Sequence, residues 1–124
     1  MSTPERRSDE TAGGLPPAVE WAVEAARDKK AIDVALLDLR PLDSFTDFFV
    51  ICSGSNPRQV QAIAEAVEER LRGEGVRPSH VEGFDRAEWI LLDYFDFIVH
   101  VFSSARREFY ALERLWGSAT RVER

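Results

Sequence analysis

The segment Ser53-Gly54-Ser55-Asn56-Pro57-Arg58 is the stretch with most resemblance to a catalytic motif. A Gly-Ser turn entering a helix aims free backbone N–H groups at a phosphate, as nucleotidyl-transferring enzymes require. Such chemistry also needs paired carboxylates on a neighbouring strand, because two metal ions about 3.5–4 Å apart must polarise the attacking and leaving oxygens. The downstream region where that pair should fall, Gln61 to Glu69, is helical in pattern and holds no Asp-x-Asp. A structural helix cap is the favoured reading, and a nucleotide-binding transferase using Gly54-Ser55 is the alternative.

His80 and His100 could serve as ligands or bases, but neither has a second His or Cys at ligand spacing, and a tight transition-metal site needs three or four donors. Asp96 and His100, four apart on a strand, should share a face, which is still only two groups. A partly buried, hydrogen-bonded His100 fits better than a metal ligand. Ser44, Ser53 or Ser55 could be drawn into a triad with a His and an Asp, yet no nucleophile-elbow sequence surrounds them. No catalytic residue, metal or cofactor is assigned.

The other chemistry-bearing cluster surrounds the longest apolar run, Trp89 to Phe102, where Glu82, Glu88, Asp93 and Asp96 gather around Trp89, Tyr94 and Phe95. An aromatic anchor rimmed by carboxylates suits a partner bearing Arg and Lys. The competing reading makes Trp89 plain core and the acids solvated turn residues. The run itself predicts a β-hairpin reversing at Tyr94-Phe95-Asp96. Period-two alternation puts Trp89, Leu91 and Asp93 on one face and Ile90, Leu92 and Tyr94 on the other, and sets Phe97, Val99 and Val101 opposite Ile98, His100 and Phe102. Apolar residues on both faces of both strands predict a sheet covered on both sides.

The remaining elements follow from periodicity and caps. Val19, Ala22, Val23 and Ala26 form one stripe of a helix over Pro17 to Lys30, with Trp21 off that stripe, either packed on a second neighbour, which is expected, or exposed. Ile32–Leu39 and Asp47–Ser53 read as antiparallel strands. Asn56, Pro57 and Gln59 open a helix to about Arg72 whose buried stripe is Val60, Ile63, Ala64, Val67 and Leu71. Its wet side is Glu65, Glu68, Glu69 and Arg72, and Gly73 or Gly75 ends it. A short strand at Ser79 to Glu82 should run parallel to the second strand. Ser104 could cap a last helix carrying Ala105, Phe109, Leu112 and Trp116, with Gly117 as its stop. The sum is an α/β fold, a mixed sheet of about five strands with helices on both faces. Residues 1–15 read as a disordered tail, 16–118 as one domain and 119–124 as a loose end.

Three segments in order, Thr46 to Ser55, the hairpin, and Arg107 to Trp116, resemble the bacterial ribosome-silencing factor family, the Iojap-related proteins. The resemblance spans about residues 17 to 117. It implies a three-layer α-β-α sandwich, nucleotidyltransferase-like in outline, with no catalytic activity. It also implies binding to ribosomal protein fourteen of the large subunit, on the face that meets the small subunit, so that the subunits cannot join, and self-association into a homodimer, for which Phe95 or Trp21 could supply an apolar patch. The motif positions carried over as partner-binding are Trp89, Leu91, Asp93, Asp96 and His100, supported by Tyr110 and Trp116. On this reading Asp93→Lys should abolish docking and leave the fold intact. Two departures stand out. Phe95 occupies the place before the turn Asp where the family usually has Gly, so a turn requiring positive φ there would be strained or rebuilt. Gln59 follows Arg58 where the family often has His.

Charge and size agree with a protein-binding domain. The chain has 124 residues, a net charge of −6 and a pI near 4.9, so phosphate backbones and anionic lipid repel it as a whole. A cationic protein is the natural target. The single cysteine, Cys52, lies in an apolar strand with no thiol to pair with, which fits a core position and a reducing cytoplasm. Met1 to Gly14 has no apolar segment, and Arg6-Arg7 lacks the hydrophobic run of an export signal. No stretch approaches the ~20 apolar residues that span a bilayer.

Overall fold

The computed structural model describes residues 15–42, 44–104 and 120–122. The expected tail, the helix expected over 105–117, and Tyr110 and Trp116 lie outside the described residues. Helix α1 (Pro17–Asp28) leads into strand β1 (Ile32–Asp38), a short 3-10 turn (Arg40–Leu42), and strand β2 (Phe48–Gly54). Helix α2 (Pro57–Gly73) and strand β3 (His80–Glu82) follow, then the hairpin β4 (Trp89–Asp93) and β5 (Phe97–Ser103), and strand β6 (Thr120–Val122).

The strands form one mixed sheet in the order β3-β4-β5-β2-β1-β6. β2 and β5 are parallel neighbours at its centre, and every other pairing is antiparallel. β3 therefore runs parallel to β2, as expected, but at the sheet edge with β4 and β5 between them. One expectation is overturned: the end read as loose contributes β6, where Thr120–Val122 pairs with Asp38–Leu36 of β1. Three residues with a Thr and a Val carry too little period-two pattern to be seen in isolation; the strand exists because β1 offers an edge.

Both described helices pack on the same face of the sheet. Val19, Ala22, Val23 and Ala26 of α1 and Val60, Ile63, Ala64, Val67 and Leu71 of α2 meet Leu36, Val50, Cys52, Ile90, Leu92, Val99 and Val101, all buried. Each large aliphatic side chain sealed in this layer contributes about 1.5–3 kcal/mol. Trp21 packs partly against this core with the Arg70 guanidinium 6.0 Å from its ring centre. The opposite face carries a second cluster of Ala35, Leu37, Leu39, Phe49, Ile51, Ile98 and Phe102, with Leu42, Trp89 and Leu91 partly buried against it.

The α2 ends explain its placement. Asn56 Oδ1 accepts from Gln59 N at 2.9 Å, while Gln59 Oε1 accepts from both Ser55 N and Ser55 Oγ, at 2.7 and 2.8 Å. Gln59 Nε2 donates to the carbonyls of Lys29 and Lys30 at the end of α1, so one side chain ties two helix ends together. At the other end Val76 N donates to Leu71 O and Gly75 N to Arg72 O, with Gly75 at φ +83°, a paired C-terminal stop that glycine adopts without strain.

Candidate functional site

The hairpin is two-sided. On the helix-covered side Ile90, Leu92, Val99 and Val101 are fully buried. On the other, Trp89 and Leu91 are only partly covered, and their β5 partners are Phe102 and His100 in register. The predicted alternation therefore holds at every position of both strands.

An aromatic cluster fixes Trp89. Its indole stacks on Phe102 with ring centres 5.1 Å apart, and Trp89 Nε1 donates to His100 Nδ1 at 3.0 Å. His100 is 4% exposed and meets the Phe49 ring edge-on at 4.6 Å. Because Nδ1 accepts, the imidazole carries its proton on Nε2, which finds no hydrogen-bond partner among the described residues. Burial pushes the His100 pKa down to about 3, so the ring is neutral and serves to orient the indole. His100 is thus a positioning residue and does not reach the surface, and the expected pairing with Asp96 on one face does not form. Asp96 lies in the exposed turn, with its backbone N–H on Tyr94 O.

The turn is held by Asp93. Its Oδ1 accepts the Phe95 N–H at 2.8 Å, an Asx-type bond, and its carbonyl receives both Ser79 N and Ser79 Oγ from the residue before β3. Phe95 sits at φ +74°, so the turn keeps its left-handed residue despite the phenylalanine, at a cost of roughly 1–2 kcal/mol. The expected tolerance of Asp93→Lys needs correction, because lysine at 93 would remove the acceptor that holds the turn as well as the charge. The turn is also stitched to the loop before β2: Thr46 Oγ1 donates to Phe95 O, and Asp47 N to Asp96 O, both at 2.9 Å.

The expected acids are dispersed. Asp93 is partly buried; Asp96, Glu82 and Glu88 are exposed or nearly so, Glu82 pairing with His80 at 2.6 Å and Glu88 facing Arg86 at 3.9 Å. Glu88, Arg86, Gly83 and Trp89 line a cleft of about 300 Å³ beside the indole. Gly83 has no alternative there, since a Cβ would stand 2.1 Å from Trp89 O. Phe95, which the sequence places among the acid-rimmed aromatics of the hairpin, and Phe45, which it does not single out, are the most exposed large apolar residues described, at 77% and 72%.

The Gly54-Ser55 turn is organised for folding. A Cβ on Gly54 would lie 2.9 Å from Val60 N, so glycine is what lets β2 run into α2. The Ser55 donors that a phosphate would use are engaged by Gln59. No group of three His, Cys, Asp or Glu side chains suited to a metal exists among the described residues. No described helix is long and apolar enough to cross a membrane.

Comparison with known proteins agrees with this arrangement. The family described as ribosomal silencing factor during starvation matches residues 14–124. A ribosomal silencing factor of Halalkalibacterium halodurans is 41% identical over 105 residues, covering 85% of this chain and 90% of its own. That of Bacillus subtilis is 42% identical over 98 residues, covering 79% and 83%. A crystal structure of a Bacillus halodurans protein superposes with a TM-score of 0.78 at 39% identity, covering 87% of this chain and 98% of that one. The chain belongs to the ribosomal silencing factor family.

Proposed function

We propose that this protein docks on the large ribosomal subunit, through its ribosomal protein fourteen, and blocks joining of the small subunit by bulk alone. The observation that carries the reading is the outer face of the hairpin. A partly exposed Trp89, fixed by His100 and Phe102, shares this face with Leu91 and Asp93, with Asp96 in the turn at the far end, on a chain of net charge −6. A rigid indole at one end of a hairpin whose turn carries acids is suited to a cationic protein surface, with the aromatic giving affinity and the charges register.

The mechanism needs no chemistry. A folded domain of about 100 residues has a radius of gyration near 13 Å, which a joint built on direct subunit contacts cannot accommodate. An interface of roughly 800 Å² on each side is sufficient if the central indole is well seated. Repression of translation follows from the occupied joint, and the protein would act in the cytoplasm, where subunits meet.

The test is mixing purified subunits with the protein on a density gradient. Joined ribosomes should fall and the protein should migrate with large subunits. Asp96→Lys changes an exposed charge without touching the Asp93 bond, so it should keep the fold and lose co-migration. A folded Asp96→Lys variant that migrates and inhibits as well as the natural chain would overturn the proposed docking face.

A further inference from the structure

Phe45 and Phe95 come from loops far apart in sequence, yet the bonds from Thr46 Oγ1 to Phe95 O and from Asp47 N to Asp96 O hold those loops side by side at one end of the sheet. Both rings are largely in water, at 72% and 77% exposure. Phe95 also holds φ +74°, a conformation that glycine would take without strain. A bulky side chain that contributes little packing and strains its own backbone is unexplained by folding. Asp47 and Asp96, both exposed, belong to the same two loops, Asp47 also within electrostatic reach of Arg40, and Asp93 holds the turn from behind.

We propose that Phe45 and Phe95 form a two-ring clamp that seats in an apolar depression of a cationic protein surface, with Asp47 and Asp96 meeting lysine or arginine at its rim. This rests on the docking reading above and extends the contact from Trp89 to the turn and the adjacent loop. The carboxylates select the occupant. A second copy brought against the same patch by a two-fold axis would place these acids against their own counterparts, which repel. Nucleic-acid phosphates and anionic lipid are disfavoured for the same reason.

The experiment titrates purified large subunits with the full chain and with Phe45→Ser, Phe95→Gly and the double variant, recording melting temperature and oligomeric state alongside. Each single change should weaken binding at least about tenfold, as loss of an interfacial aromatic does. Phe95→Gly should melt no lower than the natural chain, since it removes strain, so its binding defect cannot come from unfolding. If Asp96→Lys loses binding while the phenylalanine variants keep it, the clamp is wrong and the docking face stands. If none loses binding, both readings fall. If the double variant changes only self-association, the patch is a contact between copies and the clamp is overturned.

Discussion

The two faces of one hairpin are built to different rules. Ile90, Leu92, Val99 and Val101 point at α1 and α2, are aliphatic and are sealed; Trp89, Leu91, His100 and Phe102, their immediate neighbours in sequence, form an aromatic, hydrogen-bonded surface that is partly open. Since side chains alternate along a strand, stability and recognition can be written into the same ten or so residues without competing. A change on one face should therefore read out in folding alone, and a change on the other in binding as well.

The largest expected effect is on the sealed face. Leu92→Ala should cost about 2–5 kcal/mol in denaturant unfolding, while the fraction still folded binds large subunits normally. A binding defect beyond the lost folded fraction would blur the division. Trp89→Phe keeps a ring but leaves His100 Nδ1 buried without its donor. It should cost about 1–3 kcal/mol of stability and weaken binding too, a combination that Leu92→Ala should not show.

His100 sharpens the contrast through pH. Its folded pKa of about 3 lies below the ordinary value of 6.5, so between those limits the unfolded chain takes up a proton that the folded chain refuses. Stability is then complete above pH 6.5 and declines as pH falls, by about 1.4 kcal/mol for each pH unit from this one group. From pH 6.5 to 5 the loss should be about 2 kcal/mol, obtained as the difference in unfolding profiles between the natural chain and His100→Phe. Parallel profiles would mean that the imidazole is not held neutral. The smallest effect belongs to the helix entry, where Asn56→Ala should cost about 1 kcal/mol and leave binding untouched, since that cap serves α2 alone.

Much of this was legible because the hairpin obeys its period and α2 is capped by residues whose only good use is capping. Val60 to Leu71 could be assigned to the core from spacing, and Trp89 to the face opposite Ile90 and Leu92 from alternation, but apolar residues on both faces predicted a sheet covered on both sides and hid that this face stays partly open. What could not be read depends on contacts between distant segments. Thr46 and Phe95 are joined across the fold, Gln59 reaches back to α1, and β6 exists because β1 presents an edge. Asp93 looked like a free charge because its short acceptor bond to Phe95 N requires the turn to have formed. A partly buried, hydrogen-bonded His100 was legible, but nothing in its neighbours announces that Phe49 will close over it and take it off the partner-binding surface.

The most direct test places a photo-reactive benzoyl-phenylalanine at Phe95, where a ring already stands in solvent, and at Glu65 on the exposed side of α2, across the sheet. Irradiated with large subunits, the probe at 95 should join ribosomal protein fourteen and the probe at 65 should not. Adducts from 65, or from 95 only to another copy of the chain, would contradict the assignment of the hairpin's open face as the one that grips the ribosome.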